Sequence, residues 1–415
     1  CEPVLASVVA ALQKRVTSQP AAKDTLLATA RLARDRYDWD SGETAYRMIL
    51  ELEQDNLEAL SAIGACLQMQ NRHDEAVVWY EAALQRQQDD PALHCNRALA
   101  LLTLGRYKEG WQELQWRKKL ITEALPPVPF LTPELMDRVA GKRVLLHAEQ
   151  GFGDTIQMLR YLPLLTELGA TLILSLPQPL MRLAAAQPAV HQVIPHGDRL
   201  PAADYQILLQ DLPWLFGTTV ENIPVEIPYL YVPEHIRAIW QRRVGARADL
   251  RFGLAGACGG GDQRNRGLRS MQFSDLLPLL ALPRVQFYSL QIGPDALTDP
   301  QRSQYPNLHD LTHRIADFAD TAALILALDY LITGDTAVAH LAGALGKPVW
   351  LLLPSFREWR WLDHDNKALW YPTVEVVPHA AVDNGWGAQV VELVEWLASL
   401  MPDVKAVQQI GRAQV

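Results

Sequence analysis

Beyond residue 140 the hydrophobic positions gather into short apolar runs separated by amphipathic stretches. Val144–His147, Thr171–Leu176, His191–Pro195 and Tyr205–Gln210 read as strands, with helices expected over about 155–168 and 181–187. A second series of the same kind opens at Arg251–Leu254 and continues through Gln286–Leu290, Tyr330–Thr333 and Val349–Leu353. The proline-rich stretch Ile223–Pro233 and a helix near His235–Val244 divide the two series. Strands alternating with helices imply parallel sheets, and two consecutive series imply two α/β halves facing a cleft. Before residue 120 the pattern is helical and repeats. A shift of 34 residues carries Asp55 onto Asp89, Gly64 onto Ala98, Asn71 onto Gly105, Arg72 onto Arg106 and Glu75 onto Glu109. The opposite shift pairs Gly42 with Ala76, Tyr46 with Tyr80 and Leu50 with Leu84.

A 34-residue period with small residues at fixed places and aromatics between them resembles the tetratricopeptide repeat. Three repeats are expected, at about 21–54, 55–88 and 89–120, with residues 1–20 as a leading helix. Arrays of this kind offer a concave face to a peptide or protein, or serve only as a scaffold for the next domain; the pattern leaves both open. Cys66 and Cys95 fall on the repeat helices and read as small core residues. The repeats end at Trp116-Arg117-Lys118-Lys119, and Pro126-Pro127-Val128-Pro129 reads as a linker. The expected division is repeats over 1–120, linker over 121–140, a first α/β half over 141–235 and a second over 236–415.

Composition narrows the classes. At roughly 150 residues per domain the 415-residue chain suits about three domains. With 49% hydrophobic and 20% charged residues it is not a disordered chain. The net charge of −9 disfavours an electrostatic grip on nucleic acid or an anionic membrane. No apolar run reaches the ~18 residues of a membrane helix; the greasiest, Ala322–Ile332, is interrupted by Asp329. The four cysteines are too few and scattered for a disulfide framework or a zinc knuckle, so a cytoplasmic setting is expected. The chain begins at Cys1 rather than Met, which leaves open whether residues precede it and whether that cysteine carries a lipid.

Ligands of open parallel sheets sit beyond the carboxyl ends of the strands, so the turns there are the places to look for chemistry. The first reads His147-Ala148-Glu149-Gln150-Gly151-Phe152-Gly153-Asp154-Thr155. Its glycines let the backbone approach a ligand, and the following helix N-terminus favours negative charge. It is neither a dinucleotide fingerprint, since Ile156 stands where that motif needs glycine, nor a Walker A loop, since it has no Gly-Lys-Ser/Thr. Asp154 can cap the helix or, in a cleft, accept a proton from an attacking hydroxyl. The matching turn in the second half is Thr333-Gly334-Asp335-Thr336-Ala337-Val338-Ala339-His340. Amides of Thr336 and Ala337 at a helix N-terminus suit a diphosphate, Asp335 can accept from sugar hydroxyls, and His340 can reach a phosphate or serve the loop structurally.

The stretch from Asp335 through His340-Leu341-Ala342-Gly343-Ala344-Leu345-Gly346-Lys347-Pro348 resembles the Asp-Ser/Thr-Gly/Ala-x-x-His-Leu-Ala-x-Ala-x-Gly-x-Pro motif of the heptosyltransferase-like (family 9) glycosyltransferases. Gly153-Asp154 is similar to their amino-terminal Gly-Asp turn. A bacterial subgroup that fuses tetratricopeptide repeats to this module is the nearest in pattern, through Ala148–Gln157, Ala319–Ile325 and Trp359-Arg360-Trp361-Leu362. The resemblance implies a GT-B fold: tetratricopeptide repeats followed by two Rossmann-like domains, with a nucleotide-sugar held mainly by the second. It implies metal-independent, inverting sugar transfer with no cofactor. Asp154 is then the base; Asp335, Thr336, Ala337 and His340 bind donor sugar and diphosphate; and Gln150, Gly151 and Gly153 form the cleft loop. The architecture also resembles that of the O-GlcNAc transferases, whose catalytic motifs differ.

One departure stands out. The subgroup's Trp-Ala-Gly-Asn-like turn is replaced by Leu254-Ala255-Gly256-Ala257 and a glycine-rich loop, although Arg264, Arg266 and Arg269 keep cations for a diphosphate leaving group. The same loop can equally be a solvated segment. Gln291 can contact ribose or base. His309 and His313 have the spacing of a zinc helix but no third ligand, so no metal is expected. The glycines at 259–261 lack the serine context of a hydrolase. Among 12 tryptophans, Trp359 and Trp361 follow the strand after the donor turn, where they can stack on a base or sugar or pack in a core. The expected function is transfer of a sugar from a nucleotide-sugar donor to an acceptor, a protein recruited by the repeats. The rivals are a non-catalytic adaptor with a decayed transferase module and a transferase for surface polysaccharide or lipid-linked glycan.

Overall fold

The structure is a computed structural model that describes residues 21–122, 125–245, 250–257, 268–282, 284–293, 295–377 and 386–400. The expected leading helix over 1–20, together with Cys258, Arg264 and Arg266, lies outside the described residues.

The chain divides into two compact units. The first runs to Leu125 and includes two later segments, Gly217–Asn222 and Phe356–Leu362. Among its described residues six helices form three hairpins: α1 (Ala21–Asp35) with α2 (Trp39–Leu52), α3 (Leu57–Met69) with α4 (His73–Leu84), and α5 (Pro91–Thr103) with α6 (Tyr107–Leu114). Local chemistry sets their ends. Asp38, Asn56 and Asp90 cap α2, α3 and α5 by accepting amide hydrogen bonds from the first turn, and Pro91 occupies a position whose N–H would be unused. Asn71 and Gly105, which the 34-residue shift superimposes, both turn the chain through positive φ, at 61° and 74°. The paired Tyr46 and Tyr80 are fully buried.

The later segment Phe356–Leu362 is built into this helical unit and carries two tryptophans. Trp359 is 2% exposed and meets Trp111 edge to face with ring centroids 5.0 Å apart. Its carbonyl accepts from the Tyr107 hydroxyl at 3.5 Å, and the Arg357 amide donates to Asn71 Oδ1 at 2.7 Å. Trp361 is 3% exposed. Both indoles are therefore buried in this structure, that of Trp359 against the ring of Trp111.

The second unit comprises Pro126–Phe216, Ile223–Ser355 and the residues from Asp363 on. Its first sheet has four parallel strands, β1 (Arg143–His147), β2 (Thr171–Leu176), β3 (Val190–Pro195) and β4 (Tyr205–Leu208), in the order β3-β2-β1-β4. Its buried strands read as near-continuous apolar runs because both faces are covered. The segment expected as a linker docks on this sheet. Phe130 bridges Gln206, the Leu131 and Gln206 amides donate to Gln206 and Pro129 carbonyls, and the Gln206 side chain donates to the carbonyls of Pro126 and Val128. Proline supplies no donor but its carbonyl still accepts, so such a stretch can line a strand. The helix expected over 155–168 starts earlier and breaks into α7 (Phe152–Met158), a 3₁₀ turn at Leu159–Tyr161 and α8 (Leu162–Glu167). The short helix α9 (Met181–Ala185) follows β2, and α10 (Glu234–Val244) leads into the second half.

That second half is an eight-stranded sheet of β5 (Leu250–Ala255), β6 (Val285–Ser289), β7 (Leu308–Asp310), β8 (Tyr330–Gly334), β9 (Val349–Leu352), β10 (Asp363–His364), β11 (Lys367–Ala368) and β12 (Val374–Val377). The order is β10-β11-β12-β9-β8-β5-β6-β7, parallel except at the β10-β11-β12 edge. Helices α11 (Phe318–Leu326), α12 (Ala337–Ala344) and α13 (Gly387–Leu400) accompany it. His309 belongs to β7 and His313 to a 3₁₀ turn, so they do not share a helix face; His309 Nε2 instead meets Gln286 Oε1 at 2.7 Å.

Replacing Trp359 with alanine removes an indole from the core of the helical unit. The expected loss is about 3–5 kcal/mol of unfolding free energy, read by chemical denaturation of the full chain.

Candidate functional site

The turn after β1 and the turn after β8 face each other across the two halves of the second unit. Gly151 is the N-cap residue of α7, in an extended conformation, and Asp154 is the third residue of that helix. Asp154 is therefore not the N-cap. Its carboxylate folds back toward the start of the turn, where a Cβ built on Gly151 would stand 3.4 Å from Oδ2. Asp154 is half-buried, while Gln150 and Gly151 are exposed.

At Gly153 the halves approach closely. A Cβ placed there would lie 2.5 Å from His340 Cδ2 and 3.2 Å from His340 Nε2. Any side chain would force α7 away from α12, so the glycine permits direct contact between a ring of one half and the backbone of the other. Phe152 adds an edge-to-face contact with Phe318 of α11, ring centroids 5.2 Å apart. On the donor-turn side, Thr336 caps α12 in extended geometry with its hydroxyl 3.1 Å from that of Thr333, and Ala337 opens the helix. His340 is buried, and its Nδ1 lies 2.9 Å from the Tyr371 hydroxyl. Asp335 is 4% exposed and turned to Arg269, whose Nη2 donates to Oδ2 at 2.5 Å and to the main-chain carbonyl at 3.3 Å. Two residues singled out in the sequence for the donor thus come together as an ion pair.

Beyond the carboxyl ends of β5 and β6 lies a cavity of about 400 Å³, lined by Gly256, Met271, Phe273, Ser289, Gln291 and Thr298 among others. Gln291 shapes it by accepting from the Ala257 amide at 2.9 Å, which ties the end of β6 to the loop after β5. Its volume falls within the roughly 300–1,000 Å³ of small-molecule sites. The basic loop that leads into it is described only at Arg269, since Arg264 and Arg266 fall outside the described residues. Among the described residues no group of three or more His, Cys, Asp or Glu could hold a metal ion.

The sequence reading missed the residues that bind the halves together. Arg182 on α9 pairs with both Asp317 and Asp320 at 2.7 Å, and Asp320 also accepts from Trp240 Nε1 of α10 at 2.9 Å. Burial alone would raise the Asp320 pKa. Hydrogen bonds from Trp240, the Ala316 amide and Arg182 outweigh it and hold the carboxyl below its ordinary value. Arg160 is 3% exposed, between Met158-Leu159 and Tyr161-Leu162; a charge flanked by apolar residues on both sides is the one signal that points to it.

Residues 67–105 match the family model of the TPR repeat. The helical unit is a tetratricopeptide array. The chain is 28% identical over 316 residues to Protein FlbA of Caulobacter vibrioides, covering 67% of this chain and 50% of that protein; it spans about half the length of that curated relative. Among solved structures it is similar to the family 9 glycosyl transferase of Veillonella parvula, at 12% identity and TM-score 0.43 over 58% of this chain and 87% of that one. It is also similar to the E. coli ADP-heptose lps heptosyltransferase II, at 14% identity and TM-score 0.44 over 63% of this chain and 99% of that one. No helix of the described residues is long and apolar enough to cross a membrane.

Gly153→Ala tests the contact between the halves. Overpacking against His340 is expected to lower stability by about 1–3 kcal/mol, seen as a reduced melting temperature.

Proposed function

We propose that the chain is a glycosyltransferase that moves a sugar from a nucleotide-sugar to an acceptor hydroxyl with inversion and without a metal. The observation that carries this is the meeting of α7 and α12. The Asp154 turn of one half is held directly against the helix that opens at Thr336–Ala337 in the other. The motif resemblance at Asp335–Pro348 and the 400 Å³ cavity beside Gln291 support the same reading.

In this reading the nucleoside occupies the cavity and the diphosphate lies at the amino end of α12, where main-chain N–H groups and the helix dipole favour anions. The acceptor hydroxyl gives its proton to the Asp154 carboxylate as its oxygen forms a bond to the anomeric carbon. The bond from that carbon to the phosphate oxygen breaks, and its electron pair leaves with the nucleoside diphosphate. Charge on the leaving group is met by the α12 amides and by Arg264, Arg266 and Arg269, which supply cations in place of a metal. The acceptor is a protein engaged by the tetratricopeptide array; this part rests on the architecture alone.

A thermal-shift screen against nucleoside diphosphates and nucleotide-sugars tests the donor. A ligand present at a hundred times its Kd stabilises the native state by about 2.7 kcal/mol, a readily measured rise in melting temperature. Asp154→Asn should keep that shift and lose turnover by about 10²-fold or more. A chain that shifts with no nucleotide, or an Asp154→Asn variant with full turnover, would favour the adaptor reading or another base.

A further inference from the structure

Arg160 carries a full positive charge in a nearly closed site, and its hydrogen-bond partners are neutral. Nε donates to the Gln157 carbonyl at 3.0 Å, Nη1 to the carbonyls of Pro224 at 3.1 Å and Trp370 at 2.8 Å, and Nη2 to the Tyr229 hydroxyl at 3.4 Å. The guanidinium also stacks among three rings, with its carbon 4.8 Å from the centroid of Tyr229, 5.0 Å from Trp370 and 4.7 Å from Tyr371. These groups come from three places: α7, the stretch between the halves that carries Pro224 and Tyr229, and the turn after β11, whose Tyr371 packs on α12.

Tyr371 is the link. Its ring lies directly on Gly343, where a Cβ would come within 2.5 Å of Cδ1, and its hydroxyl holds His340 Nδ1. Burial keeps that hydroxyl protonated far above the ordinary tyrosine range. Tyr229 braces the same node. Its hydroxyl donates to the Ile156 carbonyl of α7 at 3.1 Å, and its amide donates to the Ala344 carbonyl of α12 at 3.1 Å. The edge of the His340 ring away from Tyr371 is the one pressed on Gly153, one residue before Asp154.

We propose that Arg160 and Tyr371 are positioning residues: Arg160 holds Tyr371, Tyr371 holds His340 in one tautomer, and His340 sets the spacing between the Asp154 turn and the amino end of α12. The role in turnover rests on the transferase reading above; the fixing of His340 does not. Neither residue lines the cavity beside Gln291, so their loss is expected to act on the chemical step more than on binding of the nucleotide. A misplacement of about 1 Å in a reacting pair can cost on the order of 10²-fold in rate.

The test is Tyr371→Phe, which deletes one oxygen, with Arg160→Lys as the second variant should the first fail to fold. The expected result is at least a tenfold loss of kcat on whichever nucleotide-sugar the wild-type turns over. The Kd of the matching nucleoside diphosphate, by calorimetry, should stay within about twofold. Nitrogen NMR of histidine-labelled protein reads the ring itself. It should show one His340 tautomer in wild-type and a mixture of both in Tyr371→Phe. Unchanged kcat overturns the proposal, as does a lower melting temperature with the imidazole signal unaltered, which would assign Tyr371 to packing alone. If the wild-type turns over no nucleotide-sugar, the transferase reading fails, and the imidazole signal alone decides whether Tyr371 positions His340.

Discussion

The contact of His340 with Gly153 is the constraint on which the second unit depends. Two helices from different halves approach so closely that one must present bare backbone, and the other fills the space with an imidazole edge. Everything with candidate chemistry is referenced to that contact. Asp154 follows Gly153 by one residue, and Thr336 and Ala337 precede His340 by one turn of α12. A cleft enzyme built on two rigid sheets needs some point where their separation is fixed to a fraction of an ångström, and a close-packed contact supplies it because protein interiors resist compression.

That contact is backed by charges placed unusually deep. Burying a guanidinium is costly unless its donors are met. For Arg160 the carbonyls and ring faces meet them from several segments at once, so displacing any one segment exposes the cost. The Arg182 pair with Asp317 and Asp320 works differently. Arg182 is 44% exposed, so solvent screens it, and the buried Trp240–Asp320 hydrogen bond lies within the second half, where it holds the carboxylate that Arg182 meets. The halves are therefore joined firmly at the Arg160 node and more loosely at the Arg182 pair.

Much of this was legible in the sequence where the determinants are local. The 34-residue period and the strand runs ending at His147 and Thr333 depend on local pattern, and the elements appear within a few residues of expectation. Asp335 and Arg269 were both singled out, but not as partners; 66 residues separate them. What was not legible rests on contacts distant in sequence. Trp359 and Trp361 follow the strand after the donor turn, which left stacking and packing both open. The packing of Trp359 is set by Trp111 and Tyr107, about 250 residues earlier in the chain, which no local pattern reveals. Pro126–Pro129 looked like a linker because proline cannot donate, yet its carbonyls accept from Gln206. Tyr371 gave no signal, since its neighbours in sequence belong to a short antiparallel edge and its partners lie on α12 and after α7.

The central claim is that a nucleoside diphosphate sits between the cavity beside Gln291 and the amino end of α12. A crystal structure of the full chain with the nucleotide that stabilises it best examines this directly. The expected result is the nucleoside in the 400 Å³ cavity and a phosphate oxygen within hydrogen-bond distance of the Thr336 or Ala337 amide, on the side of Asp154. A nucleotide bound elsewhere, with that cavity filled only by solvent, would contradict it.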